Sequence, residues 1–226
     1  MRPARRGLFI TFEGVEGSGK TTQAELLGQA FQARDAIVVR EPGGTELGER
    51  IREVLLFGGM EIDAEAEMYL FMAARSQLIS EVIRPGIEAG QIVVADRYHD
   101  STLAYQGGGR GLATYWPPAF PKPDVTFLLE MPVEGGRMRH LVAGKKADRV
   151  ESEPLDFHDR VASAYDRLAT DEPQRFTRID ASGTREHVHS QVMQRVEAVL
   201  AAMSEGGLPP EGAGPGKAGS RRTPLA

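Results

Sequence analysis

The sequence contains no cysteine, which excludes a disulfide framework, thiolate metal ligation and a cysteine nucleophile. Nor does it hold an apolar run near the roughly 20 residues that a membrane helix needs. Its basic start, MRPARRGLFITF, has an apolar stretch from Leu8, but Glu13 and the glycines beyond it break that stretch before it could act as a signal-peptide core. Positive charge is not in excess: 27 Lys and Arg against 32 Asp and Glu give a formal net charge of -5. A surface that tracks nucleic-acid phosphates usually makes its domain basic, so general nucleic-acid binding is not expected. These absences predict a soluble, cytoplasmic protein with no membrane or nucleic-acid partner. Any anionic ligand must then meet local positive charge.

What is present is an alternation. The short β-branched or aromatic runs LFITF, AIVVR, QIVVA, VTFLL and RFTRI are the strand candidates, separated by longer amphipathic stretches. Near-continuous apolarity suits parallel strands covered on both faces. Ala24, Leu27 and Phe31 share one helical face; so do Met68, Met72 and Leu78 or Ile79, and so do Val188, Val192, Val199 and Met203 in a last helix around 185–203. The pattern predicts an α/β fold, a doubly wound parallel five-stranded sheet flanked by helices, in a single domain over 1–203. From 204 to 226 the composition turns to SEGGLPPEGAGPGKAGSRRTPLA, which predicts a disordered, dispensable tail in which only Arg221 and Arg222 suggest a partner contact.

One stretch, EGVEGSGKTT at 13–22, carries chemistry outright. Gly14, Gly19, Lys20 and Thr21 fit the phosphate-loop pattern G-x-x-x-x-G-K-[ST], directly after a predicted strand and at the opening of a predicted helix. In such a loop the backbone N–H groups of Gly14, Val15, Glu16, Gly17, Ser18 and Gly19 curl around a phosphate, and the helix N-terminus adds its positive end. Lys20 then reaches the β- and γ-phosphates of ATP, and the Thr21 hydroxyl ligates Mg²⁺. A second motif, VVADRYHDSTLAYQGGGRG at 93–111, begins at the end of a buried strand. Strand carboxyl ends line the ligand crevice of a doubly wound sheet, so Asp96 and Arg97 should face the loop, Asp96 toward Mg²⁺ and Arg97 toward a phosphoryl group.

With REPGGTELGERIRE at 40–53 and LFMAARSQ at 70–77, these motifs form an ordered set, and here the sequence resembles the thymidylate kinases of the bacterial type. The matching segments run from about Leu8 to Gly111 and resume more loosely from Pro123 to about Ile179. The resemblance implies a P-loop nucleoside monophosphate kinase that moves the γ-phosphoryl of ATP to dTMP, giving dTDP for dTTP synthesis, and that works as a homodimer. It implies that Phe71 stacks on thymine and that Arg75, one turn later on the same helix face, bonds a base carbonyl. Thr102 and Gln106 would read the base edge, Tyr105 would crowd the sugar 2′ position, Arg52 and Arg97 would grip the monophosphate, and Glu16 would accept a hydrogen bond from the deoxyribose 3′-hydroxyl.

The acceptor is a phosphate monoester, already largely anionic at pH 7 because its second pKa is about 6. The obstacle is repulsion between anions, so positive charge and in-line positioning are needed and a catalytic base is not. A polar stretch over about 135–153, GGRMRHLVAGKKADRVESE, suits a lid closing over ATP. In the bacterial type the resemblance assigns the lid arginine that the phosphate loop lacks to Arg149, with Arg137 and Arg139 as weaker candidates; Lys20, Arg97 and Arg149 are thus the catalytic cations. The chain departs from the family between GRG and PDVTFLL, where LATYWPPAFPK leaves no room for the usual helix and Pro117, Pro118 and Pro121 oppose one; Trp116 is a candidate to cover the gap. A kinase for another nucleoside monophosphate or small metabolite, and a non-catalytic nucleotide-binding protein, remain as alternatives. A guanine-reading Asn-Lys-x-Asp segment is absent, which argues against a GTP switch.

Overall fold

A computed structural model of the chain describes residues 6–142, 144 and 148–205. The first five residues, Lys145 and Lys146 of the lid stretch, and the tail from 206 onward with Arg221 and Arg222 lie outside the described residues. Five strands, β1 (Leu8–Glu13), β2 (Ile37–Arg40), β3 (Ile92–Asp96), β4 (Val125–Glu130) and β5 (Phe176–Asp180), form one parallel sheet in the order β2-β3-β1-β4-β5. All five apolar runs of the sequence become strands. The helices are α1 (Lys20–Ala30), α2 (Glu46–Arg52), α3 (Ala64–Leu78), α4 (Arg84–Glu88), α5 (His99–Thr102), α6 (Val133–Val142), α7 (Leu155–Asp171) and α8 (Arg185–Ser204). Wide π-type turns, Glu53–Phe57, Ile79–Ile83 and Leu103–Gly109, continue α2, α3 and α5.

β1 is central, and its alternation builds both faces of the core. Leu8, Ile10 and Phe12 pack with Ala24 and Leu27 of α1 and with Val188, Val192, Val196 and Val199 of α8. Phe9 points the other way, into a cluster with Leu78, Ile79, Ile83 and Tyr98. β2 departs from the expectation of strands covered on both faces. It pairs only with β3, and as an edge strand it leaves Val38 41% exposed. α3 departs in part: Leu78 and, just beyond it, Ile79 are buried as expected, but Met68 and Met72 are only half-buried, while Glu67 and Arg75 are buried. That face of α3 looks into a polar site, where charge outranks the apolar stripe.

Residues 112–122 form no helix, as their prolines predict. The Trp116 indole N–H donates to the Phe120 carbonyl at 2.9 Å, and the ring packs edge-on to His99 with centroids 4.8 Å apart. Trp116 thus seats this segment against α5.

Candidate active site

β1 runs into the glycine loop, and α1 opens directly from it. Gly14, Gly17 and Gly19 have φ of 136, 73 and 94°, angles that residues with a Cβ adopt only with strain. Lys20, the first residue of α1, is buried and spans the loop: its Nζ donates to the Val15 carbonyl at 2.8 Å and to Ser18 Oγ at 3.5 Å. Burial, with Arg97 nearby, pushes the Lys20 pKa down to about 8. Next along the helix, Thr21 Oγ1 donates to Asp96 Oδ2 at 2.5 Å. Asp96 is there because β3 lies beside β1 in register Phe12 to Asp96. A hydroxyl and a carboxylate are hard oxygen donors, and a few protein oxygens of this kind beside a phosphate site suit Mg²⁺.

Arg97 follows β3 with a φ of 71°, a left-handed conformation that costs a non-glycine residue about 1–3 kcal/mol. The strain is held by its N–H on the Phe12 carbonyl at 3.0 Å and by its guanidinium. That group donates to Glu16 Oε2 at 2.7 Å, the Gly14 carbonyl at 3.2 Å and the Tyr105 hydroxyl at 3.2 Å. Burial alone would raise the Glu16 carboxyl, but Lys20 and Arg97 outweigh it and hold Glu16 well below the usual carboxylate range. The carboxylate inside the phosphate loop is therefore ionised and turned away from the backbone amides, toward Arg97.

A second set of polar groups lies beyond Arg97. The buried Arg75 donates to Glu41 Oε2 at 2.5 Å, Thr102 Oγ1 at 2.7 Å and the Tyr98 carbonyl at 3.0 Å. Burial pushes the Glu41 carboxyl up to about 7, an effect that Arg75 only partly offsets. His99 Nε2 lies 2.9 Å from the Tyr115 carbonyl, which can only accept, so Nε2 carries the proton and Nδ1 faces Arg75 at 3.3 Å as an acceptor. Burial and then Arg75 push the His99 pKa down to about 3. A neutral histidine thus links Arg75 to the proline-rich segment. Phe71, one helical turn before Arg75, is half-buried.

Every residue that the resemblance assigned to the acceptor, Glu16, Arg52, Phe71, Arg75, Arg97, Thr102, Tyr105 and Gln106, lines one cavity of about 490 Å³. Lys20, Thr21 and Asp96 line it as well, so donor loop and acceptor groups share a single space. Arg52 is held there by a hydrogen bond from Nη1 to the Pro42 carbonyl at 2.9 Å. The lid arginines are not brought to that space. Arg149 donates to the Leu55 carbonyl at 2.9 Å and to Glu67 Oε2 at 2.6 Å. Arg139 donates to the Ala181 and Ser182 carbonyls, and Arg137 is exposed on α6.

Several groups escaped sequence reasoning. Glu13, fully buried just before the loop, accepts from the Tyr98 N–H at 2.8 Å, Ser101 Oγ at 2.6 Å and the Tyr165 hydroxyl at 2.8 Å, which ties β1 to α5 and α7. Burial and then Asp100 push its carboxyl up to about 7. Asp100 makes a paired ion contact with Arg175, at 2.6 and 2.9 Å. His140, Glu151 and His158 also line the cavity, and Glu16, His140 and Glu151 bring ligand atoms within 4.8 Å of one another. Burial and the nearby Glu16 push Glu151 up to about 7. Glu13, Glu41, Asp100, His140 and Glu151 all lie inside stretches that the sequence singles out, but nothing local marks their roles, which depend on partners brought together by the fold.

A strand, a glycine loop closed by its own lysine, and a helix opening on that lysine at the carboxyl edge of a parallel sheet define the P-loop class of nucleotide-binding α/β proteins. Within that class, residues 12–192 match the family model described as thymidylate kinase. The thymidylate kinase of Desulfovibrio desulfuricans is 45% identical over 217 residues, covering 88% of this chain and 99% of that protein. That of Thermomicrobium roseum is 46% identical over 203 residues, 85% of this chain and 95% of its own. A crystal structure of thymidylate kinase from Ehrlichia chaffeensis superposes with a TM-score of 0.63 at 30% identity, covering 84% of this chain and 99% of that one. The chain belongs to the thymidylate kinase family.

Proposed function

We infer that this protein transfers the γ-phosphoryl group of ATP to dTMP, giving dTDP and ADP. The observation that carries the reading is the shared cavity, in which the acceptor residues named by the resemblance meet Lys20 and Thr21 of the phosphate loop. ATP phosphates lie against the backbone of residues 14–19, with Lys20 on the β- and γ-phosphates. Thr21 and Asp96 are the residues that would hold Mg²⁺, whose charge offsets that of the phosphates when it is bound. Arg52 and Arg97 grip the dTMP phosphate and lower its repulsion with ATP. Phe71 stacks on thymine, Arg75 and Thr102 face its carbonyl edge, and Tyr105 closes the space where a ribose 2′-hydroxyl would stand. Glu16 accepts from the 3′-hydroxyl once the acceptor phosphate has taken over part of Arg97.

Arg149 is the lid arginine of this reading, and it reaches the transferred group by leaving Glu67 when the 135–153 segment closes. The family resemblance also supports a homodimer and a cytoplasmic location; no helix among the described residues is long and apolar enough to cross a membrane. Incubation with ATP, Mg²⁺ and each of dTMP, dUMP, dCMP and AMP, followed by separation of products, tests the reading. Fastest conversion of dTMP is expected. Faster conversion of another monophosphate would assign the cavity to that substrate.

A further inference from the structure

Glu67 lies on α3 one turn before Phe71 and is only 1% exposed. Its carboxylate accepts from Gln106 Nε2 at 2.9 Å, from Arg110 Nε at 3.3 Å and Nη2 at 3.1 Å, and from Arg149 Nη2 at 2.6 Å. We propose that Glu67 is a positioning residue for base selection: it fixes the Gln106 amide with its carbonyl oxygen toward the cavity, and so favours thymine over cytosine. The proposal rests on the reading of the cavity as a dTMP site.

Burial alone would raise the Glu67 carboxyl, but its hydrogen bonds from Arg110, Gln106 and Arg149 hold it below the usual range. It is therefore ionised and can only accept. The end of the Gln106 amide that faces it must be the NH₂, since a flipped amide would set carbonyl oxygen against carboxylate. That leaves Gln106 Oε1, which makes no hydrogen bond among the described residues, as the end available to the cavity that Gln106 lines. Oε1 can only accept.

Thymine and cytosine differ in the partner they want. Thymine offers an N3–H donor beside the O4 acceptor, whereas cytosine offers an N3 acceptor beside an N4 amino donor. An amide locked with its oxygen inward matches the thymine N3–H and opposes the lone pair of cytosine N3. Arg75, a donor only, matches O4 and opposes the N4 amino group. A site that leaves buried polar groups unpaired with the wrong substrate discriminates far better than one that relies on shape. The lock persists when Arg149 leaves for the transferred group, because Arg110 still donates to both Glu67 oxygens, at 3.3 and 3.1 Å; a neutral partner able to donate or accept would let the amide turn.

Glu67→Gln is that neutral partner at nearly unchanged volume. The ratio of kcat/KM for dTMP over dCMP is expected to fall at least tenfold, mainly through KM for dTMP, with KM for ATP within twofold. The ratio for dTMP over dUMP should stay within twofold, because uracil keeps the N3–H. Equal losses for dTMP and dCMP would mean that Glu67 only supports the fold and would overturn the proposal. The double variant E67Q/Q106L should show the dTMP over dCMP ratio of Q106L alone; losses that multiply would also overturn it. Should E67Q not fold, the unsubstituted protein supplies the test by NMR. The Gln106 side-chain amide protons should exchange slowly with water before any nucleotide is added, and exchange as fast as in a surface glutamine would contradict the lock. An unsubstituted protein that fails to convert dTMP would defeat the functional reading instead, which separates the two failures.

Discussion

At the scale of single residues, the site is governed by charges whose state depends on what is bound. Lys20 is buried in the loop with its pKa pushed down to about 8. ATP phosphates favour its charged form, so its pKa rises on binding and the complex takes up a proton. Calorimetry at pH 8.5 in two buffers of different ionisation enthalpy should show uptake of more than half a proton per ATP, fading to none at about pH 6.5 as Lys20 becomes charged beforehand. Absence of uptake at pH 8.5 would mean that Lys20 does not meet the phosphates. Glu16 is the complementary case. Its carboxylate pairs with Arg97 at 2.7 Å and is read as the partner of the sugar hydroxyl. A hydrogen bond to a charged group contributes about 1.5–3 kcal/mol, so Glu16→Gln should raise KM for dTMP roughly ten- to a hundredfold. ATP affinity should stay within about threefold, and equal loss of both would mark the carboxylate as structural only.

At the scale of elements, two contacts hold the pieces that carry these charges. The start of α6 lies backbone to backbone on the phosphate loop: a Cβ at Gly136 would collide with the Glu16 carbonyl oxygen, and one at Gly17 with that of Gly136. Gly136→Ala must push α6 off the loop. Overpacking of this kind costs about 1–3 kcal/mol, and a lowered urea midpoint together with a lowered kcat is expected; a midpoint equal to that of the unsubstituted protein would rule out the close seat. The second contact is the Asp100–Arg175 pair, which ties α5 to the start of β5 and is buried on both sides. Breaking a buried pair by removing one partner costs about 3–5 kcal/mol. Asp100→Asn should therefore unfold at markedly lower urea, and a loss below about 1 kcal/mol would show that α5 is held by its other contacts.

At the scale of the whole molecule, chain order places the chemistry. β1 sits between β3 and β4, so the phosphate loop after β1 and the Asp96–Arg97 turn after β3 emerge side by side at one edge of the sheet. This much was legible in the sequence, because the five apolar runs, the glycine loop and the residues of 93–111 are local signals. The roles of Glu13, Glu67, His99 and Asp100 were not, although Glu13, His99 and Asp100 lie inside those stretches, because each acquires its meaning from partners brought in by the fold. Arg149 shows the same limit from the other side: its motif was visible, but its pairing with Glu67 at 2.6 Å is set by packing between segments 82 residues apart. One cavity joins the phosphate loop to the residues read as the dTMP site. The most direct measurement follows ATP labelled in its γ-phosphorus, mixed with Mg²⁺, dTMP and the protein. Label appearing in the terminal phosphate of dTDP, with one ADP formed for each, is the expected result. Label released only as inorganic phosphate would contradict it.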